Sequence, residues 1–504
     1  MLAGRSPGPL SGSGRAALSP DERDLLSFGA GSVSGLVSLR VMSGIPSDQE
    51  HMSGFESLMW EMERDPQLSS TFANLTLFDK VLDRKAFRLR MEQAIVNVPR
   101  LRQRVVTSAA PWELPRWLDD PEIDLDHHLR WMDLGGDASR DELYELVATL
   151  SRQPFDRERP LWEFVTIEGL AGGRSAMLQR LHHTITDGEG GIVLSVEFLD
   201  FERAPQPRVA KSPRREVRNV SSTEANESMQ PWWSRASAPF VSVASGAASL
   251  PSRTAHLASA VRSASRQARV GHRRSPLWTE RSLGRWFGTT TLNLEDVLSA
   301  AHLLGGSVND FFIAGAADAA GELHHVAGHA VQQLRVSMPV STRHDRSAGG
   351  NAFSPTQMLV PTGQMNPAER FSEIHKIVAS VRSERAIESL DTAAQAAAML
   401  PPAAILRSGQ HLAHSVDFVC SNVRAAPFDL FIGGAYMQAN YPIGPLAGTA
   451  FNLTTMSYRG WLFIGLAVDP AAVSEPDELL AELDRAYDRL FGAVGMTRQA
   501  PEEF

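Results

Sequence analysis

The sequence predicts an α/β protein of two lobes. Segments of strand and helix period alternate in both halves, a long basic stretch separates the halves, and 504 residues exceed what one core ordinarily serves. The Gly- and Ser-rich residues 1–51 read as a disordered tail, 52–202 as an N-terminal lobe, 203–275 as a basic crossover and 276–500 as a C-terminal lobe.

In the first lobe, Ala73, Leu75 and Leu77 alternate as in a strand, and Asp83 is placed to cap a helix that carries Phe87, Met91, Ile95 and Val98 on one face. A second strand is predicted at SAMLQRLHH, with Met177, Leu181 and His183 on one side, and glycines 188, 190 and 191 end it before a helix at IVLSVEFL. In the second lobe, Asn293 caps a helix bearing Val297, Leu298, Ala301 and Leu304, Gly305 and Gly306 end it, and Asn309 is read as the cap of the next. Strands are predicted at LRVSMPV, FDLFIGGAYM and GWLFIGLAV, and a last amphipathic helix from Ser474 uses Leu479, Leu480, Leu483 and Leu490.

A hydrophobic fraction of 43% with 21% charged residues is that of a globular chain, and no apolar run reaches the roughly 18 to 20 residues needed to cross a bilayer. The single cysteine, Cys420, excludes an intramolecular disulfide and fits a cytosolic setting. Between Arg208 and Arg274 there are twelve Lys or Arg against three Glu, so the net charge of −9 leaves the remaining chain near −18. The bland reading of this stretch is a solvated linker. The sharper one, which Trp232, Trp233 and Phe240 favour, is a segment lying on an anionic membrane or lipid-inclusion surface. No nucleic-acid-binding module accompanies it, and the body of the chain is acidic.

Three adjacent histidine pairs supply an internal control. His127 and His128 sit in an acidic, loop-like stretch, and His324 and His325 in a helix with His329 one turn on, whereas His182 and His183 stand where a strand meets a glycine-rich turn. No metal site is read, because two imidazoles without a third ligand are incomplete and adjacent strand residues face opposite ways. An imidazole near its ordinary pKa can take a proton from a hydroxyl. Asp187 either fixes its tautomer or turns away to an arginine, and Gly188 gives the turn backbone freedom. A Gly-x-Ser-x-Gly string occurs only at Gly4 to Gly8, in the tail and with Pro7 inside it, so no serine nucleophile is credible. No zinc-protease helix, phosphate loop or dinucleotide fingerprint is present, which leaves direct attack by the acceptor.

The string His182-His183-Thr-Ile-Thr-Asp187-Gly188 resembles HHxxxDG, the motif of acyl-CoA-dependent acyltransferases of the chloramphenicol acetyltransferase and condensation-domain superfamily. RPLWEF, GGSVNDFF, VSMPVSTR followed by GGN, SNV, and SYRGWLFIGLAVD narrow the resemblance to the bacterial wax ester synthase/diacylglycerol acyltransferase family. The resemblance implies two chloramphenicol-acetyltransferase-like lobes with a channel between them. In it His183 would deprotonate diacylglycerol or a long-chain alcohol for attack on acyl-CoA, the co-substrate, with no resident cofactor or metal.

It further implies a catalytic set of His183, His182, Asp187 and Gly188, with Arg343 as partner of Asp187. Substrate contacts would come from Pro160, Leu161, Trp162, Asn309, Asp310, Ser421 and Asn422. For Trp162 core packing is the competing reading, and for Asn309 and Asp310 it is helix capping. The chain departs from the family's SNVPGP, having SNVRAAPFD with Arg424, which bears on the acceptor. Alternatives are acyl transfer to a polyketide or glycolipid hydroxyl, and a catalytically silent lipid-binding homologue.

Overall fold

The computed structural model describes residues 50–108, 113–186, 191, 194–205, 275–341, 353–383 and 402–500. The tail at 1–49 and most of the basic crossover, 206–274, therefore lie outside the described residues, as do Asp187, Gly188 and Arg343.

In chain order the first half forms β1 (Glu50–His51), α1 (Gly54–Met62), β2 (Thr71–Phe78), α2 (Arg84–Asn97), β3 (Gln103–Val106), β4 (Arg116–Asp119), α3 (Leu125–His128), β5 (Leu129–Ala138), α4 (Arg140–Ser151), β6 (Trp162–Leu170) and β7 (Arg174–His182). The second half continues with β8 (Trp286–Asn293), α5 (Leu294–Leu303), α6 (Val308–Val326), β9 (Gln333–Ser341), β10 (Phe353–Pro361), α7 (Pro367–Ser383) and α8 (Pro402–Ala413). It ends with β11 (Phe418–Arg424), β12 (Phe431–Ile432), β13 (Ala435–Ile443), β14 (Phe451–Tyr458), β15 (Trp461–Val468) and α9 (Pro476–Gly492). One six-stranded sheet runs β12-β13-β2-β7-β6-β5, another β10-β9-β11-β14-β15-β8, and a small sheet β1-β4-β3 flanks the first.

Local chemistry sets most boundaries. Asp83 accepts the N–H groups of Lys85 and Ala86, and Asn293 those of Glu295 and Asp296, as the sequence predicts. Capping boxes start α1 at Ser53 with Glu56 and α4 at Ser139 with Glu142. Two caps differ from the reading. Helix α6 is capped by Ser307, whose hydroxyl takes the Asp310 N–H, so Asn309 lies inside the first turn. Helix α9 starts at Pro476 rather than Ser474, since proline needs no partner for the N–H it lacks.

FDLFIGGAYM is a hairpin and not one strand. Gly433 and Gly434 both take positive φ (53° and 75°) between β12 and β13, a conformation that a side chain disfavours. Strand β13 then pairs with β2 from Ile443↔Ala73 to Met437↔Phe78. The lobes are thus not consecutive blocks of chain: residues 431–443, read as part of the 276–500 lobe, are built into the first sheet.

Two apolar cores follow the two sheets, and the first takes in Phe287, Phe463 and Ala467 from strands of the second. The seam between them is closely fitted. The Tyr441 and Thr291 hydroxyls lie 3.1 Å apart, those of Tyr144 and Thr289 2.6 Å apart, and Arg285 Nη1 donates to the Ser151 carbonyl at the end of α4. Backbone itself crosses the seam at Gly465 of β15, where an added Cβ would stand 1.9 Å from the Pro442 carbonyl oxygen of β13. Among the described residues no single helix is long and apolar enough to cross a membrane.

Because the Pro442 carbonyl belongs to a paired strand and cannot yield cheaply, Gly465→Ala is expected to cost about 1–3 kcal/mol. A lower denaturant midpoint with an unchanged slope in urea unfolding is the check; an unaltered midpoint would show that the seam is looser than described.

Candidate active site

His182 closes β7 opposite Thr71 of β2, and its N–H donates to the Leu161 carbonyl. Its side chain is buried on the face shared with Arg180 and Thr71, and both ring nitrogens are engaged. The Thr184 N–H donates to Nδ1 at 3.2 Å, and the Thr184 hydroxyl lies 2.7 Å from the same atom. A backbone N–H can only donate, so Nδ1 accepts and the ring proton sits on Nε2, which points at Glu63 Oε2 at 3.0 Å.

Glu63 is correspondingly filled. Ser69 Oγ donates to Oε1 and the Ser70 N–H to Oε2, each at 2.7 Å. Burial by itself would raise this carboxyl, but His182, Ser69 and Ser70 together hold it below its ordinary value. The network fixes the turn after β7 to the chain leaving α1.

His183 follows just beyond the strand. Its N–H donates to the Ser70 carbonyl at 3.2 Å, and its half-buried ring lies 4.5 Å from that of Phe72 at an interplanar angle of 37°. Phe72 pairs with Leu181, so His183 keeps to the Leu181 side that strand period predicts, while His182 faces the other way. Thr71 lies one strand from β13, which places both histidines at the end of the sheet near the seam.

The sequence reading grouped His182 with the catalytic residues. The structure places its ring buried, with both nitrogens bonded, and places that of the adjacent His183 on the other side against Phe72. Glu63, Thr184 and Phe72 were not singled out from the sequence. Glu63 stands 119 residues before His182, and nothing in its own surroundings marks it.

The other candidates divide. Leu161 lines, with Trp60, Glu63, Phe155, Arg157 and His182, a small cavity of about 40 Å³. Trp162 packs in the core instead: its Nε1 donates to the Leu101 carbonyl at 2.8 Å, and its ring stacks on His128 at 4.4 Å. His128, in a stretch read as loop-like, ends the one-turn helix α3 and gives Nδ1 to the Trp162 carbonyl. Burial pushes its pKa down to about 4, so this ring is a neutral core histidine.

In the second lobe, Asp310 Oδ2 accepts from Ser307 N–H and Oγ and from His375 Nδ1. The structure brings Asn309 and Asn422 together, Nδ2 of Asn422 donating to Asn309 Oδ1 at 2.6 Å beside half-buried Ser421. Among the described residues no group of three His, Cys, Asp or Glu is placed to hold a metal ion.

Two sheet-containing lobes with an HHxxxDG string leaving a central strand define an acyltransferase of the chloramphenicol acetyltransferase and condensation-domain type. The comparisons narrow this. The wax ester synthase/diacylglycerol acyltransferase catalytic domain matches residues 52–312, and the WS/DGAT C-terminal domain matches 349–491. A protein of Mycobacterium tuberculosis H37Rv, named a diacylglycerol O-acyltransferase, is 32% identical over 464 residues, covering 89% of this chain and 93% of its own.

Among solved structures, the wax ester synthase/diacylglycerol acyltransferase of Marinobacter aquaeolei VT8 superposes with a TM-score of 0.59 at 20% identity, over 89% of this chain and all of that one. The first condensation domain of the calcium-dependent antibiotic synthetase gives 0.60 at 16% identity, over 90% and 97%. These two share the fold. The chain belongs to the wax ester synthase/diacylglycerol acyltransferase family.

Since the Glu63 carboxyl titrates lower folded than unfolded, its contribution is complete above the ordinary carboxylate range and is lost as pH falls through the depressed folded value. Glu63→Gln is therefore expected to lose about 1–3 kcal/mol near neutrality and to show a shallower fall of stability with acid. Denaturation midpoints from pH 7 to pH 3 measure both; parallel profiles for the two proteins would count against the network.

Proposed function

We propose that the protein moves a long-chain acyl group from acyl-CoA to the free hydroxyl of diacylglycerol, making triacylglycerol, and less readily to a long-chain alcohol, making wax ester. His183 is the general base. It takes the hydroxyl proton as the alkoxide oxygen attacks the thioester carbonyl carbon; collapse of the tetrahedral adduct breaks the C–S bond, and the proton passes to the CoA sulfur. The observation that carries the reading is the division between the two histidines: His182 is locked by Glu63 and Thr184, while His183 is half-buried on the opposite side, with its backbone tied to Ser70.

Asp187 and Gly188 shape the turn in this reading. Leu161 lies by the donor side, and Asn309, Asp310, Ser421 and Asn422 contribute a wall of the acceptor side from the second lobe. The names of the mycobacterial relatives support diacylglycerol as acceptor. Arg424, where the family has proline, is the feature that favours a wider choice of alcohol. His183→Ala is expected to lower turnover about 10²- to 10⁴-fold with little change in stability. Product mass from one long-chain acyl-CoA offered with diacylglycerol, hexadecanol and a glycolipid alcohol scores both claims. Full turnover in the variant would remove His183 from the mechanism, and no triacylglycerol from the native enzyme would remove the acceptor.

The reaction is placed at the cytosolic face of a membrane or lipid inclusion, held there by the basic stretch between Arg208 and Arg274. Exposed Val196 and Phe201 lie a few residues before that stretch, and Val96 is exposed beside Asn97, which bonds to Glu197. Flotation with anionic vesicles that weakens as salt rises is the expected result; equal recovery with neutral vesicles would overturn it.

A further inference from the structure

An arginine-lined cleft of about 530 Å³ opens on the first lobe between the end of α1, strand β3 and the loop before β6. Trp60, Glu63 and Arg157 form its inner end, and the small cavity that reaches Leu161 and His182 lies behind the same three residues. Arg64, Arg104 and Arg157 supply three positive charges, against Glu63 and Glu158.

Neither of these two acids is tightly bonded to an arginine of the cleft, although both keep their negative charge. Both Glu63 oxygens are already occupied by Ser69, Ser70 and His182. Glu158 meets Arg104 only at 3.4 Å, with 85% of its side chain exposed, and such a pair is weak. Arg64, half-exposed, pairs with the largely buried Glu61 at 2.7 Å. Arg157 makes no direct ion pair among the described residues, Glu61 and Glu63 acting on it only through space; its Nη2 donates to the Trp60 carbonyl, and its guanidinium lies 3.6 Å from the centroid of the Trp60 ring. Burial, and after it the charge of Arg64, lowers the pKa of Arg157, and the charges of Glu61 and Glu63 only partly offset them.

We propose that this cleft seats the phosphates of a nucleotide-bearing ligand, which under the acyl-transfer reading above is the nucleotide end of coenzyme A. Three planar guanidinium groups around one space match phosphate oxygens in a way that ammonium groups do not. The volume accommodates a diphosphate together with part of a nucleoside, and the indole of Trp60 offers an apolar wall. A phosphate entering here displaces the loosely held Glu158 and leaves Glu63 on His182, so the donor is anchored without disturbing the histidine turn. The inference concerns the phosphate seat alone and rests on the acyl-transfer reading only for the identity of the nucleotide.

Calorimetric titration of the full chain with CoA, with inorganic pyrophosphate and with pantetheine tests it, using Arg157→Gln and, since Arg157 also holds Trp60, the peripheral Arg104→Gln. Each substitution is expected to weaken CoA about tenfold or more, to raise KM for acyl-CoA with kcat little changed, and to spare the affinity for pantetheine. Pyrophosphate should compete with CoA but bind more weakly. Unchanged CoA affinity in both correctly folded variants overturns the seat, as does failure of pyrophosphate to compete; pyrophosphate binding as tightly as CoA overturns the nucleotide assignment. Arginine-dependent CoA binding without ester formation from any alcohol would uphold the seat and sink the acyl-transfer reading. Ester formation with arginine-independent CoA affinity would do the reverse.

Discussion

The architecture depends on the antiparallel pairing of β13 with β2. Through it the chain of the second half enters the first sheet, and the ladder from Ile443↔Ala73 to Met437↔Phe78 ties residues more than 350 positions apart. The pairing would be of little use if the strands then diverged, but β15 lies so near β13 that only a glycine fits at 465. Hydroxyl pairs from Tyr441 and Tyr144 finish the seam. Buried polar groups must be partnered, so these contacts specify one arrangement of the lobes where apolar packing alone would tolerate several.

The histidine turn sits at the end of this construction. Thr71, the first residue of β2, pairs with His182, the last of β7, and the chain just before Thr71 holds both histidines, Ser70 through its carbonyl and Glu63 through its carboxylate. A strand reverses its side-chain direction at each step, so the two adjacent histidines fall on opposite sides: the inner ring is bonded to Glu63 and Thr184, and the outer ring lies against Phe72. Burial of the Glu63 carboxylate is tolerable only because three donors converge on it. Removing any one donor leaves the buried carboxylate short of a hydrogen bond.

Much of the fold was legible because its signals are local. Asp83 and Asn293 cap helices through side chains that reach only two or three residues, and period-two alternation located β2 and β7. The Asn309 cap was misplaced because Ser307, Asn309 and Asp310 all have capping chemistry, and only the folded turn shows that the serine hydroxyl takes the bond. Trp162 could not be divided between channel and core by sequence, since the partners that decide it, the Leu101 carbonyl and the His128 ring, lie 61 and 34 residues away.

By itself the sequence determined the family, the α/β class, the caps at Asp83 and Asn293 and the side of the sheet on which each histidine falls, because motif strings, capping and side-chain period act over a few residues. Only the tertiary structure decided that residues 431–443 join the first sheet, that Glu63 holds His182, and that Arg64, Arg104 and Arg157 share one cleft. Periodicity states which way a side chain points but not what it meets, and the partners here are brought together by sheet register across separations that no local pattern encodes.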